Sequence, residues 1–445
     1  MIRQDGIGQG GASWTMAFVL SAGYVVSFVD RQVLNLLLEQ VRIDLAISDV
    51  QASLLVGAAF ALFYVGAGLP LGVLADRVNR TRLITACLVV WSFMTAACGM
   101  AGSFAQLFLA RMGVGIGEAG YSPAAVSMIG DQYTRERRSR AMGIYTAAIP
   151  LGMGLALIGG GALMQVAPTI AEAFEPVLGP IRPWQVVFVL VALPGLLLAP
   201  LIFMLREPPR QGSGERSDNA LPRGGVAGYI WARRGTYAPL MCGLSALTVL
   251  GIGYGAWIPT LLIRTHGWSV TTIGLCYGLV ALICGPLGAY LGGLACDRLL
   301  AAGHRDAHWR VLMVCIPMLA LCYAIAPLMP SGWLTLAVLV PGTMAGAAPA
   351  AAAHAAFVYL TAPHFRARVF ATYNFVQNAL GLTLGPTLVA ILTDYVFLDP
   401  AHLRYSMTTV AILAGVAGTV LIALSGGGFR TDHPDIDAEP APLPA

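Results

Sequence analysis

The sequence predicts an all-α membrane protein with twelve transmembrane helices in two six-helix bundles, and three observations support this fold class. The chain of 445 residues is 57% hydrophobic and only 11% charged, whereas soluble proteins carry about 25% charged residues. Twelve long apolar stretches follow one another, and a bilayer span needs about 20 such residues. A single long polar segment, 206–236, separates six stretches from the other six. This composition excludes a soluble enzyme and a disordered chain.

The predicted spans share high apolar content and lie between short breaks. They cover residues 14–38, 49–75, 82–102, 104–130, 139–165, 184–205, 237–262, 271–296, 310–329, 333–360, 368–397 and 404–424. None shows the alternating polarity over about 10 residues that a spanning strand requires. The breaks contain turn or helix-capping residues, among them Ser48 and Ser331.

The domain organisation follows from these spans. We expect an N-terminal bundle at 1–205, a cytoplasmic linker at 206–236, a C-terminal bundle at 237–425 and a cytoplasmic tail at 426–445. The linker is rich in Gly, Pro and Ser, as solvated linkers are.

All 26 basic residues are arginine, and their distribution indicates how the chain is oriented in the membrane. With both termini in the cytoplasm, most of them fall in cytoplasmic segments, as the positive-inside rule requires. Four fall outside: Arg42, Arg182, Arg264 and Arg404. We therefore expect an integral protein of a bacterial inner membrane. The polar, glycine-rich segment 1–14 does not read as a signal peptide.

The sequence lacks the motifs that are typical of several functional classes. The eight cysteines lie in or at the ends of apolar runs without a CxxC pair, so we interpret them as small buried hydrophobes. The sequence contains no HExxH, no GxSxG and no clustered histidines, so we expect no enzyme, no metal site and no cofactor. No basic block with interleaved aromatic residues indicates a nucleic-acid partner.

The two halves repeat each other in two places. GVLADR at Gly72–Arg77 recurs as GLACDR at Gly293–Arg298, and both end the second span of their half. RAMGIY at Arg140–Tyr145 recurs as RVFATY at Arg368–Tyr373, and both open the fifth span. Two landmarks in the same order indicate a duplication, which is common among secondary transporters.

Four charged residues lie deep inside the predicted spans: Asp30 and Arg31 in the first, Arg111 and Glu118 in the fourth. An Arg or Asp at the bilayer centre costs about 2.5–3.5 kcal/mol on insertion scales, so these residues should face a cavity or each other. At 1.5 Å per residue, Asp30, Arg31 and Arg111 lie at one depth. They form either a structural ion-pair lock or a site for protons and substrate.

The chemistry of these four residues suits a proton switch. Burial favours the neutral form of a carboxyl group, whereas a nearby arginine favours the ionised form. We expect Asp30 to pair with Arg111 and to leave Arg31 free toward a cavity. The planar guanidinium of Arg31 would there bind a carboxylate or phosphate through two hydrogen bonds.

Further side chains are candidates for a cavity lining. The polar face of the eleventh span carries Tyr373, Asn374, Gln377 and Asn378 at helical spacing. Tyr121, Tyr254 and Trp257 either line a cavity or pack in the core. The glycines around Glu118, among them Gly113 and Gly117, predict close helix packing. They are not a nucleotide loop, because no strand precedes them.

Four motifs resemble those of the major facilitator superfamily and, within it, the spinster-like branch. GxxxDRxxR, formed by Gly72, Asp76, Arg77 and Arg80, resembles the superfamily motif. The branch is indicated by VDRQ at Val29–Gln32, GIGEAGYSP at Gly115–Pro123 and REPPR at Arg206–Arg210. The resemblance extends over all twelve spans and is densest in the first five.

This resemblance implies two six-helix bundles around a central cavity that work by alternating access. Asp30, Arg31 and Glu118 match the branch's buried charged positions for protons and substrate. Gly72, Asp76, Arg77 and Arg80 match a cytoplasmic gate. The second half keeps Asp297 and Arg298 but has Ala301 where the next arginine would stand, so the resemblance implies an asymmetric gate.

The sequence therefore predicts a proton-coupled secondary active transporter of an amphiphilic or organic-anion solute. Its expected partners are a small-molecule or lipid-like solute, protons and the bilayer, and we expect a monomer. Two alternatives remain: a multidrug/proton antiporter of the same fold and an uncoupled facilitative carrier. Arg31 and Arg111 argue against a cationic solute, whereas Asp30 and Glu118 argue for one.

Overall fold

The computed structural model describes residues 14–210, 225–304, 306–362 and 365–431. Within these ranges the regular structure is entirely helical, which confirms the all-α prediction. Eleven helical segments of the described chain are long and apolar enough to cross a membrane. The segment 1–13, the central linker 211–224 and the tail from 432 onward lie outside the described residues, so the predictions made for them stay predictions.

The helices are numbered in chain order. They are α1 (Thr15–Asp44), α2 (Asp49–Val56), α3 (Ala58–Ala75), α4 (Arg80–Cys98), α5 (Phe104–Ala119), α6 (Tyr121–Gln132), α7 (Arg135–Thr146), α8 (Ala148–Leu178), α9 (Pro183–Phe203), α10 (Gly225–Ala232), α11 (Arg234–His266), α12 (Val270–Ala301), α13 (Ala307–Ile325), α14 (Gly332–Ala347), α15 (Pro349–Leu360), α16 (Arg366–Ile391) and α17 (Leu403–Thr431). Several predicted spans are built from two consecutive helices, as the second span is from α2 and α3.

The fourth predicted span, 104–130, is not among the eleven long apolar segments. It is present as α5 and α6, which meet at Gly120. Neither helix reaches the length of a full span, and α5 carries the charges Arg111 and Glu118. The twelve predicted spans are thus all helical, and the fourth, which contains two of the four deep charges, is divided at Gly120.

Helix starts follow the expected capping chemistry. The Ser48 side chain accepts from the Gln51 N–H, and the Gln51 side chain accepts from the Ser48 N–H, which is a complete capping box. Ser331 caps α14 in a similar way by accepting from the N–H of Leu334. These bonds satisfy N–H groups that a helix end leaves without partners. The predicted breaks at Ser48 and Ser331 are confirmed.

Glycines allow helices to approach closely in both halves of the chain. A methyl group on Gly117 would lie 2.8 Å from the Cβ of Trp91, so α5 and α4 meet there. A methyl group on Gly253 would lie 2.6 Å from the carbonyl oxygen of Gly385, where α11 and α16 meet. Small residues serve close packing in membrane proteins, as predicted for Gly117.

The described residues divide into two compact units. The first contains the described residues up to Leu45 and residues 59–210, and the second contains Ala46–Ala58 and the described residues from 225 onward. The segment Ala46–Ala58 therefore groups with the second unit, although the domain prediction counts it in the N-terminal bundle. One reason is that the backbone N–H of Val50 donates to the Asp394 carboxylate at 2.8 Å.

The start of the predicted linker is hydrogen-bonded to the beginning of α4. Arg80, which is 1% exposed, donates from Nε to Glu207 at 2.9 Å and from Nη2 to the carbonyl of Pro208 at 2.8 Å. Its Nη1 pairs with Asp131. Arg210 donates to the carbonyl of Val78 at 2.7 Å. The REPPR segment is thereby fastened to the start of α4.

The end of the linker forms a helix that the sequence analysis did not predict. Tyr229 on α10 stacks on Phe365 with ring centroids 4.4 Å apart. The Tyr229 hydroxyl accepts a hydrogen bond from the N–H of Ala362 at 3.1 Å. These contacts hold α10 against the second unit.

Candidate functional site

The first unit contains a buried cluster of charged side chains. Asp30 is 0% exposed, and Arg111 and Glu118 are each 2% exposed. Arg31 belongs to the same cluster but is partly reachable, with 18% of its side-chain surface exposed. The structure thus brings together the four residues that the sequence singled out as deep charges.

The strongest contact in this cluster joins Arg31 and Glu118. Both Nε and Nη2 of Arg31 donate to Oε2 of Glu118, at 2.7 and 2.6 Å. The Ser27 hydroxyl donates to the same oxygen at 2.6 Å. The other oxygen, Oε1, has no hydrogen-bond partner among the described residues. The contacts of the Glu118 carboxylate with Ser27 and Arg31 are therefore all made through one oxygen, Oε2.

Aromatic rings surround the Arg31 guanidinium. Its central carbon lies 4.4 Å from the ring centroid of Phe60, 4.7 Å from that of Tyr64 and 5.3 Å from that of Phe28. Such contacts attract a cation to the ring face and also present apolar surface around it. A charged group beside apolar walls suits a ligand with an ionic head and an apolar body.

The prediction that Arg31 is free is wrong. We expected Asp30 to pair with Arg111 and Arg31 to be free, but Arg31 is paired with Glu118. Ser27 and Arg31 are four residues apart and share one face of α1, so both side chains reach Glu118. Asp30 is turned about 100° away from that face and points to other neighbours.

The Asp30 carboxyl group lies in a different environment. Neither of its oxygens has a hydrogen-bond partner among the described residues. Arg111 reaches the backbone carbonyl of Asp30 through Nη1, at 3.4 Å. The carboxyl group interacts electrostatically with Glu118 and Arg111 and adjoins the side chains of Thr95 and Trp91.

The three aromatic candidates pack in the core. Tyr121 is 1% exposed and donates its hydroxyl to the carbonyl of Leu20 at 2.7 Å. In the second unit, Tyr254 stacks on Tyr323 with centroids 4.0 Å apart. Trp257 is 0% exposed, and its indole N–H donates to the carbonyl of Pro386 at 2.9 Å. Of the two alternatives for these residues, the structure supports packing.

The polar face of the eleventh span forms a hydrogen-bonded row on α16. Gln377 donates to the side-chain oxygen of Asn374 at 2.7 Å and accepts from Thr248 of α11 at 3.2 Å. Asn378 donates to the backbone carbonyl of Asn374 at 2.8 Å. Tyr373 is buried against Phe357. Asn374, Gln377 and Asn378 are half-buried, so their role as a lining stays a prediction.

The residues predicted to form the cytoplasmic gate differ in their exposure. Asp76, Arg77, Asp297 and Arg298 are exposed, and Gly72 is half-buried. Arg80 differs because it is buried and holds the REPPR segment, as described above. The gate assignment itself stays a prediction.

Sequence reasoning missed a buried ion pair in the second unit. Arg264 donates through Nη1 and Nη2 to the two carboxylate oxygens of Asp49, each at 2.7 Å. The side chains are 8% and 0% exposed. The sequence analysis places Arg264 outside the cytoplasm and indicates no partner for it. Asp49 follows the helix cap Ser48, and no sequence motif near it indicates an ion pair. No three His, Cys, Asp or Glu side chains group as a metal site within the described ranges.

The twelve helical spans and the buried charges define a polytopic membrane transporter rather than an enzyme. The sequence profile of the Major Facilitator Superfamily matches residues 20–386, so the chain belongs to that superfamily. Within it, the chain is spinster-like. It is similar to a bacterial homologue of the human lysosomal transporter spinster, solved in an inward-facing and unoccupied conformation. That similarity has a TM-score of 0.78 and 26% identity over 95% of this chain and 97% of the other.

Two curated relatives extend over most of the chain. An MFS-type efflux pump of Mycolicibacterium smegmatis is 28% identical over 94% of this chain and 94% of that protein. The sphingosine-1-phosphate transporter SPNS2 of Xenopus tropicalis is 27% identical over 86% of this chain and 74% of that protein. The predicted superfamily, branch and transporter class are confirmed.

Proposed function

We propose that the protein is a proton-coupled secondary active transporter of an amphiphilic or organic-anion solute, working by alternating access. The observation that carries this proposal is the ion pair between Arg31 and Glu118, with the guanidinium partly exposed and bordered by aromatic rings. Glu118 can release Arg31 by taking up a proton. Arg31 keeps its charge at every physiological pH and remains a site for an anion.

Competition for Arg31 provides the coupling. A carboxylate or phosphate that binds Arg31 displaces Glu118, and a buried carboxylate without its partner takes up a proton because burial disfavours the charge. Conversely, protonation of Glu118 frees Arg31 for the anion. The two events are linked reciprocally, as thermodynamic linkage requires for two ligands at coupled sites. The proton and the solute anion then occupy the same state of the transporter.

The surroundings of Arg31 favour an amphiphile over a small hydrophilic anion. Phe28, Phe60 and Tyr64 present apolar surface around a cation. The relative named as a sphingosine-1-phosphate transporter has a solute with an anionic head and an apolar tail, which supports the same class here. We further propose a bacterial inner membrane, cytoplasmic termini and a monomer. The proposed gate consists of Gly72, Asp76, Arg77, Arg80, Asp297 and Arg298.

A multidrug/proton antiporter is the second candidate. One specific observation favours it: Asp30 is a second buried acid in the same cluster as Glu118, and a buried acid can bind a cation. The efflux-pump relative supports the same alternative. An uncoupled carrier would be independent of any proton gradient.

Transport in proteoliposomes with an imposed pH gradient tests the proposal. The solutes are sphingosine-1-phosphate, a fluorescent lysophospholipid and a permanently cationic dye. We expect gradient-driven transport of the anionic amphiphiles and its loss in Glu118→Gln. Glu39→Gln is the matched control, since Glu39 is also a buried acid but pairs with Arg42 near the end of α1. Gradient-driven transport of the dye alone would establish the antiporter instead.

A further inference from the structure

The linker helix α10 carries an exposed tryptophan beside the start of a membrane-spanning helix. Trp231 is 71% exposed and belongs to the predicted linker 206–236 rather than to a predicted span. It lies three residues before Arg234, where α11 begins. Tryptophan is enriched at the membrane–water interface, because it combines an apolar ring with a polar N–H group. The position of Trp231 is therefore typical of an interfacial anchor.

The helix α10 is amphipathic, and its two faces have different surroundings. Val226, Tyr229 and Ile230 have the i, i+3, i+4 spacing of one helical face, and all three pack against the hydrophobic core of the second unit. Trp231 is turned about 100° from Ile230 around the helix axis, and its ring is exposed. The inner face therefore holds α10 on the unit while Trp231 points away from the core.

The exposed face combines the Trp231 ring with a guanidinium group. The central carbon of Arg234 lies 5.4 Å from the ring centroid, and its Nη1 donates to the backbone carbonyl of Trp231 at 3.5 Å. Arg234 is exposed, so its other N–H groups are accessible to an acceptor outside the chain. Arg233 has a different role, because it donates to the Tyr229 hydroxyl on the inner face. The exposed face thus presents an apolar ring and a planar cation side by side.

The chain segments around α10 carry positive charge without nearby acids in the sequence. The stacking of α10 on the residue before α16 places it beside the start of that helix, where Arg366 and Arg368 stand. The two segments that meet there, 225–266 and 349–393, contain no Asp or Glu. This charge favours an anionic partner over a neutral or cationic one.

The arginines of the neighbouring helices differ, because acids accompany them. Asp306 accepts a hydrogen bond from Arg310 of α13 at 2.8 Å. Asp297 directly precedes Arg298 near the end of α12. These two arginines are therefore compensated locally, whereas those of α10 and α16 have no acid along their own segments.

We propose that α10 lies in the bilayer interface and binds the phosphate groups of anionic phospholipids. The Trp231 ring lies at the boundary of the acyl chains, and the Arg234 guanidinium donates to a lipid phosphate, which its planar group suits. Burial of apolar area and attraction to anionic lipids together hold such interfacial helices in place. The lipid thereby fastens the end of the linker to the membrane. This binding goes beyond the proposed transport and does not depend on the solute or on protons.

Fluorescence quenching in nanodiscs of the full-length protein tests the proposal. The nanodiscs consist of phosphatidylcholine with increasing fractions of dibrominated phosphatidylglycerol or dibrominated phosphatidylcholine, and bromine quenches nearby tryptophan. The difference in fluorescence between a protein and its Trp231→Phe variant reports Trp231 alone. We expect a preference of 5-fold or more for phosphatidylglycerol. In Arg234→Gln the preference should fall about 5-fold, which corresponds to about 1 kcal/mol for one arginine near a membrane surface.

Two variants of the same unit are matched controls. Arg310 is 44% exposed but bonded to Asp306, so Arg310→Gln should keep the preference. Trp333 is 64% exposed and stacks on Trp268, which follows the other end of α11. The signal that is lost in Trp333→Phe should show no preference between the two lipids.

Several outcomes would overturn the inference. Equal quenching of Trp231 by both lipids would show contact with the bilayer without recognition of an anion. A Trp231 signal that neither lipid quenches would mean that another protein surface covers the ring. Loss of the preference on addition of inorganic phosphate at constant ionic strength would assign the site to free phosphate. An equal loss in Arg310→Gln would reduce the effect to overall charge. None of these measurements involves transport, so they stand apart from a failure of the proposed function.

Discussion

Breaking the buried ion pair between Asp49 and Arg264 should destabilise the second unit strongly. The pair is bidentate, with both N–O distances at 2.7 Å, and Asp49 is 0% exposed. Removing one partner of a buried pair costs about 3–5 kcal/mol, because the other charge stays buried without compensation. At about 2–4 °C per kcal/mol for a unit of this size, Asp49→Asn or Arg264→Gln should lower the melting temperature by on the order of 10 °C.

A double-mutant cycle separates the pair from the effects of each side chain alone. Asp49→Asn also removes a negative charge from the first turn of α2, where the helix dipole favours it by about 0.3–1 kcal/mol. The double variant should therefore be less destabilised than the sum of the singles by about 2–3 kcal/mol. Thermal unfolding of detergent-purified protein, followed by intrinsic fluorescence, measures all three variants.

The exposed pair of Arg310 and Asp306 is the matched control in the same unit. Its Nε–Oδ1 distance is 2.8 Å, but Arg310 is 44% exposed. An exposed i,i+4 pair contributes about 0.3–0.5 kcal/mol, so Arg310→Gln should change the melting temperature by roughly 1–2 °C. Additive single variants at Asp49 and Arg264, or effects no larger than that of Arg310→Gln, would refute the reasoning from burial.

Three further predictions concern the first unit. Arg31→Lys should weaken binding of an anionic amphiphile by about 10-fold or more, because an ammonium cannot make the parallel bonds of the guanidinium; binding equal to wild type by calorimetry would contradict this. Arg80→Gln removes the cation that Asp131 and Glu207 contact, so the free energy of unfolding should fall by about 3–5 kcal/mol. Arg82→Gln, at an exposed position, should change it little. Gly117→Ala should cost about 1–3 kcal/mol by crowding Trp91, while Gly143→Ala, with open space around it, should be neutral or stabilising.

The spans and the cluster of buried charges were predictable from the sequence, because the bilayer makes both locally readable. A helix must satisfy its backbone within itself in lipid, so apolar length marks every span but the fourth. Asp30, Arg31, Arg111 and Glu118 stand out because each is costly in that solvent. Counting residues along a helix then gives their depth. Ser48 and Ser331 mark helix starts for an equally local reason, since a cap bonds within its own first turn.

The partners of these charges were decided only by the tertiary structure. Depth along a span does not give the rotation of a facing helix about its axis, so the levels of these residues did not indicate that Arg31 pairs with Glu118. The contact of α5 with α4 at Gly117 sets that rotation and turns Glu118 toward Ser27 and Arg31. Asp49 and Arg264 are 215 residues apart, and no periodicity within either helix reports such a contact. Local patterns determine which residues enter the membrane, whereas the packing of helices determines which of them meet.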